Sequence, residues 1–308
     1  MLRGRDLLSI HDLSVGEVQE ILNLGHELKA MYRAGVAHEL LAGKTLGMIF
    51  EKSSTRTRLS FETGMYQLGG RAIFLSEKDL QLGRGEPIKD TARVMSRYLN
   101  GIMMRTFGQD RLEEFAQWSD VPVINGLTDL LHPCQALTDI LTIQEYKGKD
   151  LKKLKLAYVG DGNNMAHSLM YASAKVGIDF VCATPEGYGM HAEIIDNAKA
   201  DAAETGATIT LTNDPYFATK DADVVVTDTW ASMGQEAEHD QRKEALGAYQ
   251  VNADLLKDAD KRVIVLHCLP AYRGEEITEE IFEAYSEVIF NEAENRLHTQ
   301  KAIMALLM

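Results

Sequence analysis

The sequence predicts an α/β fold built on parallel sheets and divided into two domains, and three observations carry that prediction. Short β-rich runs alternate with helical stretches along the chain, the signature of strands joined through crossover helices. The 308 residues exceed what a single core usually holds, so length points to two domains. The chemically unusual side chains fall just after the carboxyl ends of the strands, the edge at which open α/β sheets bind ligands. Because both halves place such residues there, a site in the cleft between the domains is expected.

In the first half, strands are read near 45–50 (Thr45-Leu46-Gly47-Met48-Ile49-Phe50), 71–75, 101–105 and 121–125. In the second they fall near 155–159, 179–183, 208–212, 223–227, 262–267 and 288–290. The polar stretch Lys147-Gly148-Lys149-Asp150 marks the boundary. The expected domains are therefore 1–147 and 148–293, with a last helix over 294–308 able to pack back on the first.

Composition excludes several classes. An apolar content of 45% with 25% charged residues is that of a soluble globular protein. A formal net charge of -14 argues against nucleic acid and against an anionic membrane surface as partners. No apolar run approaches the roughly 20 residues of a membrane span, and Met1-Leu2-Arg3-Gly4-Arg5-Asp6 lacks the apolar core of a signal peptide. Cys134, Cys182 and Cys268 form no CxxC, and three thiols cannot all pair within one chain, which fits a reducing cytoplasm. No histidine cluster has metal-ligand spacing, so neither metal nor cofactor is expected.

The most informative stretch is Ser53-Ser54-Thr55-Arg56-Thr57-Arg58, between the first strand and an amphipathic run with Phe61, Met65 and Leu68 at helical spacing. Hydroxyls and guanidiniums thus crowd a helix N-terminus, where free N–H groups and the helix dipole favour an anion and Arg forks match phosphate oxygens. The plainer reading is a Ser/Thr cap before a solvated basic face. Arg105 ends the strand Gly101-Ile102-Met103-Met104, where the ordinary fate of an arginine is to snorkel to the surface. In His132-Pro133-Cys134-Gln135 a helix starting at Pro133 would bring His132 and Gln135 to its first turn. Gln81 opens the Gly-rich segment Gln81-Leu82-Gly83-Arg84-Gly85, a binding loop or a plain surface loop.

Gly160-Asp161-Gly162-Asn163-Asn164-Met165 matches half of a dinucleotide fingerprint. Met165 stands where the third glycine belongs, and the next strand ends without a ribose-binding acid, which argues against NAD. Asn163 and Asn164 can instead offer amides to an amino-acid ligand. Asp228 at a strand end suits a helix cap or an ammonium group. Cys268, beside His267, reads as a structural thiol by default.

Together, Ser54-Thr55-Arg56-Thr57-Arg58, Met104-Arg105-Thr106, His132-Pro133-Cys134-Gln135-Ala136-Leu137, Asp228 with Ser232-Met233-Gly234, and His267-Cys268-Leu269-Pro270 closely resemble the aspartate/ornithine carbamoyltransferase family, and within it the ornithine-using members. The resemblance spans most of the chain in the family's order. It implies two doubly wound α/β domains, carbamoyl phosphate on the first and the amino acid on the second. It also implies a homotrimer or a multiple of trimers, a place in arginine metabolism, and transfer of the carbamoyl group to the δ-amine of L-ornithine, giving citrulline and phosphate. Carried over, Ser54, Thr55, Arg56 and Thr57 would hold the phosphate, and Arg105, His132 and Gln135 the carbamoyl end. Gln81 would come from a neighbouring subunit, and Arg296 would be a late carbamoyl-phosphate contact. Asn164, Asp228, Ser232 and Met233 would contact ornithine, and Cys268 with the Leu269 carbonyl would receive the reacting amine. Cys268, Arg105 and His132 would be catalytic. Ser53 stands where many relatives have proline.

Residue types favour ornithine among acceptors. Aspartate carries two carboxylates and calls for guanidiniums, yet Leu269-Pro270 is followed by Ala271 and Tyr272, and no basic residue follows Asp228 before Arg242. Putrescine, lacking a carboxylate, would leave donors unpaired. The alternatives are a carbamoyltransferase using putrescine or another amine and, from another class, a non-catalytic phosphate or nucleotide sensor. A sensor would need the two arginines but not Asp228 and Cys268 as well.

Overall fold

The computed structural model describes residues 2–231 and 238–308. The chain divides into two compact units, Met1–Leu141 with Asn295–Met308, and Thr142–Glu294.

The first unit runs through α1 (Val15–Arg33), β1 (Thr45–Phe50), α2 (Thr55–Gln67), β2 (Arg71–Ser76), α3 (Ile88–Ser96), β3 (Gly101–Arg105), α4 (Gln109–Trp118), β4 (Val123–Leu127) and into α5 (Pro133–Lys147). Its four strands lie in the order β2-β1-β3-β4, all parallel. The second unit continues with β5 (Lys155–Val159), α6 (Asn164–Val176), β6 (Asp179–Ala183), α7 (Ala192–Thr205), β7 (Ile209–Thr212), α8 (Pro215–Thr219), β8 (Val224–Thr227), α9 (His239–Leu246), α10 (Ala253–Leu256), β9 (Ile264–His267) and α11 (Glu279–Ala284), before α12 (Ser286–Leu307) ends the chain. Its order is β7-β6-β5-β8-β9, again parallel.

Both sheets are doubly wound: the chain builds outward from one central strand, then returns and builds the other way. The reversal falls between β1 and β3 in the first unit and between β5 and β8 in the second. Adjacent connections leave in opposite directions there, which opens a crevice at the strands' carboxyl ends. Parallel strands are covered on both faces, so they read as unbroken apolar runs: Leu156, Ala157, Tyr158 and Val159 are all buried. One face of the first sheet packs Ile49, Ile102, Met104 and Val123 against Ala92 and Met95 of α3 and Leu112 and Phe115 of α4. One face of the second packs Val159, Val181, Val225 and Val265 against Ala218, Leu255, Ile281 and Phe282.

Two expected strands are corrected. The fourth lies at Val123–Leu127, two residues later than read. Residues 288–290 belong to α12, not to a strand; Val288 and Ile289 are buried while Phe290 is 56% exposed. A short apolar run holds no periodicity that separates strand from buried helix. The later part of α12 is tied into the first unit by polar groups. Lys29 Nζ donates to Asn295 Oδ1 at 2.6 Å, and Lys301 Nζ lies 2.9 Å from Gln67 Oε1 and 3.0 Å from His38 Nε2.

The turn after β5 needs its glycines. Gly160 sits at φ 143°. A Cβ on Gly162 would lie 2.6–2.7 Å from backbone atoms of Tyr188, Gly189 and Met190, none of which can swing aside. Gly162→Ala is therefore expected to destabilise the fold by about 1–3 kcal/mol, the usual cost of overpacking, read as a lowered urea midpoint. An unchanged midpoint would show that the turn has room the geometry denies it.

Candidate active site

In the first unit the turn after β1 delivers the Ser-Thr-Arg run onto α2. Ser54 is the N-cap: its Oγ accepts from Thr57 N at 3.3 Å and lies 3.0 Å from Thr57 Oγ1. The two arginines separate. Arg58 is exposed, with Nε 3.1 Å from Glu62 Oε2 and its guanidinium 3.9 Å from the centre of the Phe74 ring, whereas Arg56 is half-buried and its charge acts on His132. Thr57 is fully buried and takes a 2.8 Å bond from Arg296 Nη2 of α12.

Arg105, across the reversal point, is paired in register with Phe50 and is only 7% exposed, so it does not snorkel. Its backbone is fixed by Glu51, whose N–H donates to Arg105 O at 2.9 Å and whose carboxylate takes bonds from Thr106 Oγ1 and from Arg111 Nε. Such a clamp limits where the guanidinium can reach.

Helix α5 starts at Pro133, as the sequence suggested, because proline's fixed φ suits a first helical residue. His132 therefore sits at the helix entrance, and its carbonyl accepts from Gln135 N and Ala136 N. The Gln135 amide runs down the helix to Asp139 Oδ1 at 2.7 Å. His132 is buried and held well below the usual histidine pKa, first by burial and then by the charges of Arg296, Arg105 and Arg56. A neutral imidazole among three guanidiniums results. Cys134, between them in sequence, is fully buried, and burial pushes its thiol up to about 12, so it is inert at neutral pH.

In the second unit Asp228, just past β8, is buried and caps no helix among the described residues. Its Oδ1 accepts from Thr229 N at 2.7 Å and from Cys268 Sγ at 3.2 Å, and its Oδ2 accepts from Asn163 Nδ2 at 2.9 Å. All three partners are donors, the arrangement suited to a carboxylate. Asn164 is buried on the first turn of α6.

The segment after β9 has its own buttress. Leu269 takes φ 60°, a left-handed conformation rare for a residue with a side chain. Its N–H donates to His267 Nδ1 at 2.9 Å, and His267 Nε2 faces Glu276 Oε1 at 3.0 Å. The His267 N–H donates to Glu292 Oε2 at 2.9 Å. The ligand atoms of Asp228, His267 and Cys268 lie within 4.8 Å of one another, close enough for a metal ion. Both ring nitrogens of His267 are already engaged, so this trio does not fit one without losing the buttress.

Of the remaining expected residues, Thr55 and Gln81 are exposed and Leu269 is half-buried. Ser232 and Met233 lie outside the described residues. Sequence reasoning missed Asn163 as the partner of Asp228, and missed Glu276 and Glu292 behind His267. Asn163 left one signal: an asparagine just before a helical run is a favoured N-cap. The two glutamates lie 9 and 25 residues from His267 and left none.

Comparison with known proteins covers both units. Residues 5–145 match the model for the aspartate/ornithine carbamoyltransferase carbamoyl-P binding domain, and residues 152–307 match that for the Asp/Orn binding domain of the same family. The chain is 55% identical over 307 residues to an ornithine carbamoyltransferase of Oceanobacillus iheyensis, covering 100% of this chain and 95% of the relative. It is also 55% identical over 304 residues to one from Syntrophotalea carbinolica, covering 99% of each. The solved ornithine carbamoyltransferase of Pyrococcus furiosus superposes with a TM-score of 0.96 at 52% identity, covering 100% of this chain and 98% of that one.

The neutral His132 makes stability depend on pH. Its pKa is lower folded than unfolded, so the unfolded chain takes up the extra proton. The contribution is complete above about pH 6.5 and is lost as pH falls below it toward the folded pKa, by up to about 1.4 kcal/mol per pH unit. The stability difference between the native protein and His132→Asn, measured in urea, is expected to shrink between pH 7 and 5.5. A difference constant over that range would mean that the ring takes up its proton in the fold as it does in the unfolded chain.

Proposed function

The chain belongs to the aspartate/ornithine carbamoyltransferase family, and on that premise we propose that it transfers the carbamoyl group of carbamoyl phosphate to the δ-amine of L-ornithine, releasing L-citrulline and phosphate. The observation that carries the chemistry is the gathering of Arg56, Arg105 and Arg296 around a neutral His132, beside a capped helix N-terminus. Three guanidiniums with a neutral imidazole suit a substrate that is a phosphate at one end and a polarisable carbonyl at the other.

In this reading the first domain, 1–147 with 294–308, holds carbamoyl phosphate. Ser54, Thr55, Arg56 and Thr57 take the phosphate with help from Arg105 and Arg296. Arg105, His132 and Thr57 donate to the carbonyl oxygen, and Gln135 takes the amide end. The second domain, 148–293, holds ornithine through Asn164, Asp228, Ser232 and Met233. Asp228 and Cys268, with the Leu269 carbonyl, orient the δ-amine. A free alkylammonium has a pKa near 10, so the amine must shed a proton before it attacks. Its lone pair then forms the C–N bond while the carbonyl π electrons move to oxygen. Collapse of that oxyanion breaks the C–O bond to phosphate, and the leaving phosphate takes a proton from nitrogen. Each preorganised donor to the oxyanion is worth about a hundred- to a thousandfold in rate.

The acceptor choice rests on charge. Every described partner of the Asp228 carboxylate is a donor, which suits an ammonium, and relatives at 55% identity are named ornithine carbamoyltransferases. Location in the cytoplasm fits free thiols at Cys134, Cys182 and Cys268; among the described residues no helix is long and apolar enough to cross a membrane. Assembly as a trimer or a multiple of trimers would let Gln81, exposed on a 3-10 turn, serve a neighbouring copy.

Three experiments test this. Asp228→Asn is expected to lose ornithine turnover while still binding carbamoyl phosphate by calorimetry, and ornithine should exceed putrescine at least about tenfold in kcat/KM, with aspartate unused. Each group left unpaired by putrescine costs about 1–3 kcal/mol; a preference for putrescine would sink the acceptor assignment alone. Separately, mixing inactive Gln81→Ala and Arg56→Ala chains after dissociation should restore some activity, because one interface can then collect both defects and leave another intact. Hybrids that form and stay dead would refute sharing.

A further inference from the structure

We infer that Asn163, with Tyr158 behind it, is a positioning residue that sets the direction of the Asp228 carboxylate toward the incoming amine; this rests on the reading that Asp228 receives ornithine. The Asn163 amide can sit only one way round. Three donors converge on its Oδ1: Met165 N at 2.9 Å, Ala166 N at 3.3 Å and the Tyr158 hydroxyl at 3.1 Å. Its Nδ2 is thereby turned to Asp228 Oδ2 at 2.9 Å. Two of those donors are the free N–H groups of the α6 N-terminus, so the helix itself holds the amide. The third comes from Tyr158, fully buried on β5, whose hydroxyl stays protonated because burial and the charges of Asp228 and Asp161 hold its pKa well above the usual value.

Asp228 has two oxygens with different duties. Oδ1 is occupied by Thr229 N and Cys268 Sγ. Without the Asn163 bond to Oδ2, nothing described on that side stops the carboxylate from turning about its Cα–Cβ and Cβ–Cγ bonds. A small rotation would misplace both the group that meets the amine and the thiol bonded to it, and reacting groups displaced by about 1 Å can lose roughly a hundredfold in rate.

Capping and orienting can be separated by substitution. Asn163→Ser keeps an equally good N-cap and removes the donor to Asp228. It is expected to keep the fold, with a melting temperature no lower than that of Tyr158→Phe, and to keep carbamoyl-phosphate affinity, while lowering kcat/KM for ornithine at least about tenfold, the scale of one hydrogen bond to a charged group. Tyr158→Phe removes one of the three donors that hold the amide and leaves the two helix N–H groups, so it should show a smaller loss of the same kind. Asn163→Asp also keeps the cap but sets two carboxyls side by side, which raises the pKa of one. When protonated, the introduced carboxyl donates to Asp228 as the amide did, so the variant-to-native ratio of kcat/KM should be highest at low pH and fall as pH rises. The other groups around the pair are Asp161 with its partner Arg242, Tyr158, Cys182, Cys268 and His267; all are common to both proteins and cancel in the ratio. Native ornithine kinetics in Asn163→Ser, or a ratio flat with pH, overturns the inference. If Asp228→Asn is disabled while these variants are not, only the positioning role fails. If Asp228→Asn itself turns over ornithine normally, the reading beneath it fails.

Discussion

Parallel strands all deliver their carboxyl ends to one edge, and that constraint organises everything else in this molecule. Where the winding reverses, between β1 and β3 and again between β5 and β8, the following segments diverge and leave side chains facing an opening. The Ser54 turn and Arg105 stand at the first reversal, and Asn163 and Asp228 at the second. No other point of such a sheet brings two connections so close while leaving their polar groups uncovered by a crossover helix.

The two sets of residues are opposite in charge and comparable in economy. The first unit concentrates guanidiniums on a neutral ring, with Arg296 brought in from the far end of the chain to bond Thr57. Neutrality of His132 follows from its surroundings: burial and three positive charges all oppose a fourth. The second unit concentrates donors on one carboxylate. By Coulomb's law the first set favours an anion and the second a cation, before any detail of a reaction is invoked.

Rigidity comes from groups that never need to touch substrate. Glu51 fixes the backbone of Arg105, and Glu276 with Glu292 holds His267, which in turn holds the left-handed Leu269. Arg242 binds Asp161 at 2.7 Å, the Trp230 carbonyl at 3.2 Å and Glu238 at 3.0 Å. Reacting groups must be held within fractions of an ångström, and supporting hydrogen bonds of this kind limit how far a side chain or its backbone can stray.

The sequence by itself determined the class of fold, most strand positions, the helix start at Pro133 and the chemical inventory, because those are written in local periodicity and in residues adjacent along the chain. It also carried the family through motifs whose members are neighbours, such as Ser54 to Arg58 and His267 to Pro270. Tertiary structure decided what depends on distant pairs. It made 288–290 helical, since three apolar residues carry no period. It buried Arg105 and sent Arg58 outward. It also brought the Asn163 amide to Asp228, 65 residues away. An asparagine before a helical run reads as a cap in a sequence; only the turn after β5 decides that the other end of the Asn163 amide meets a carboxylate.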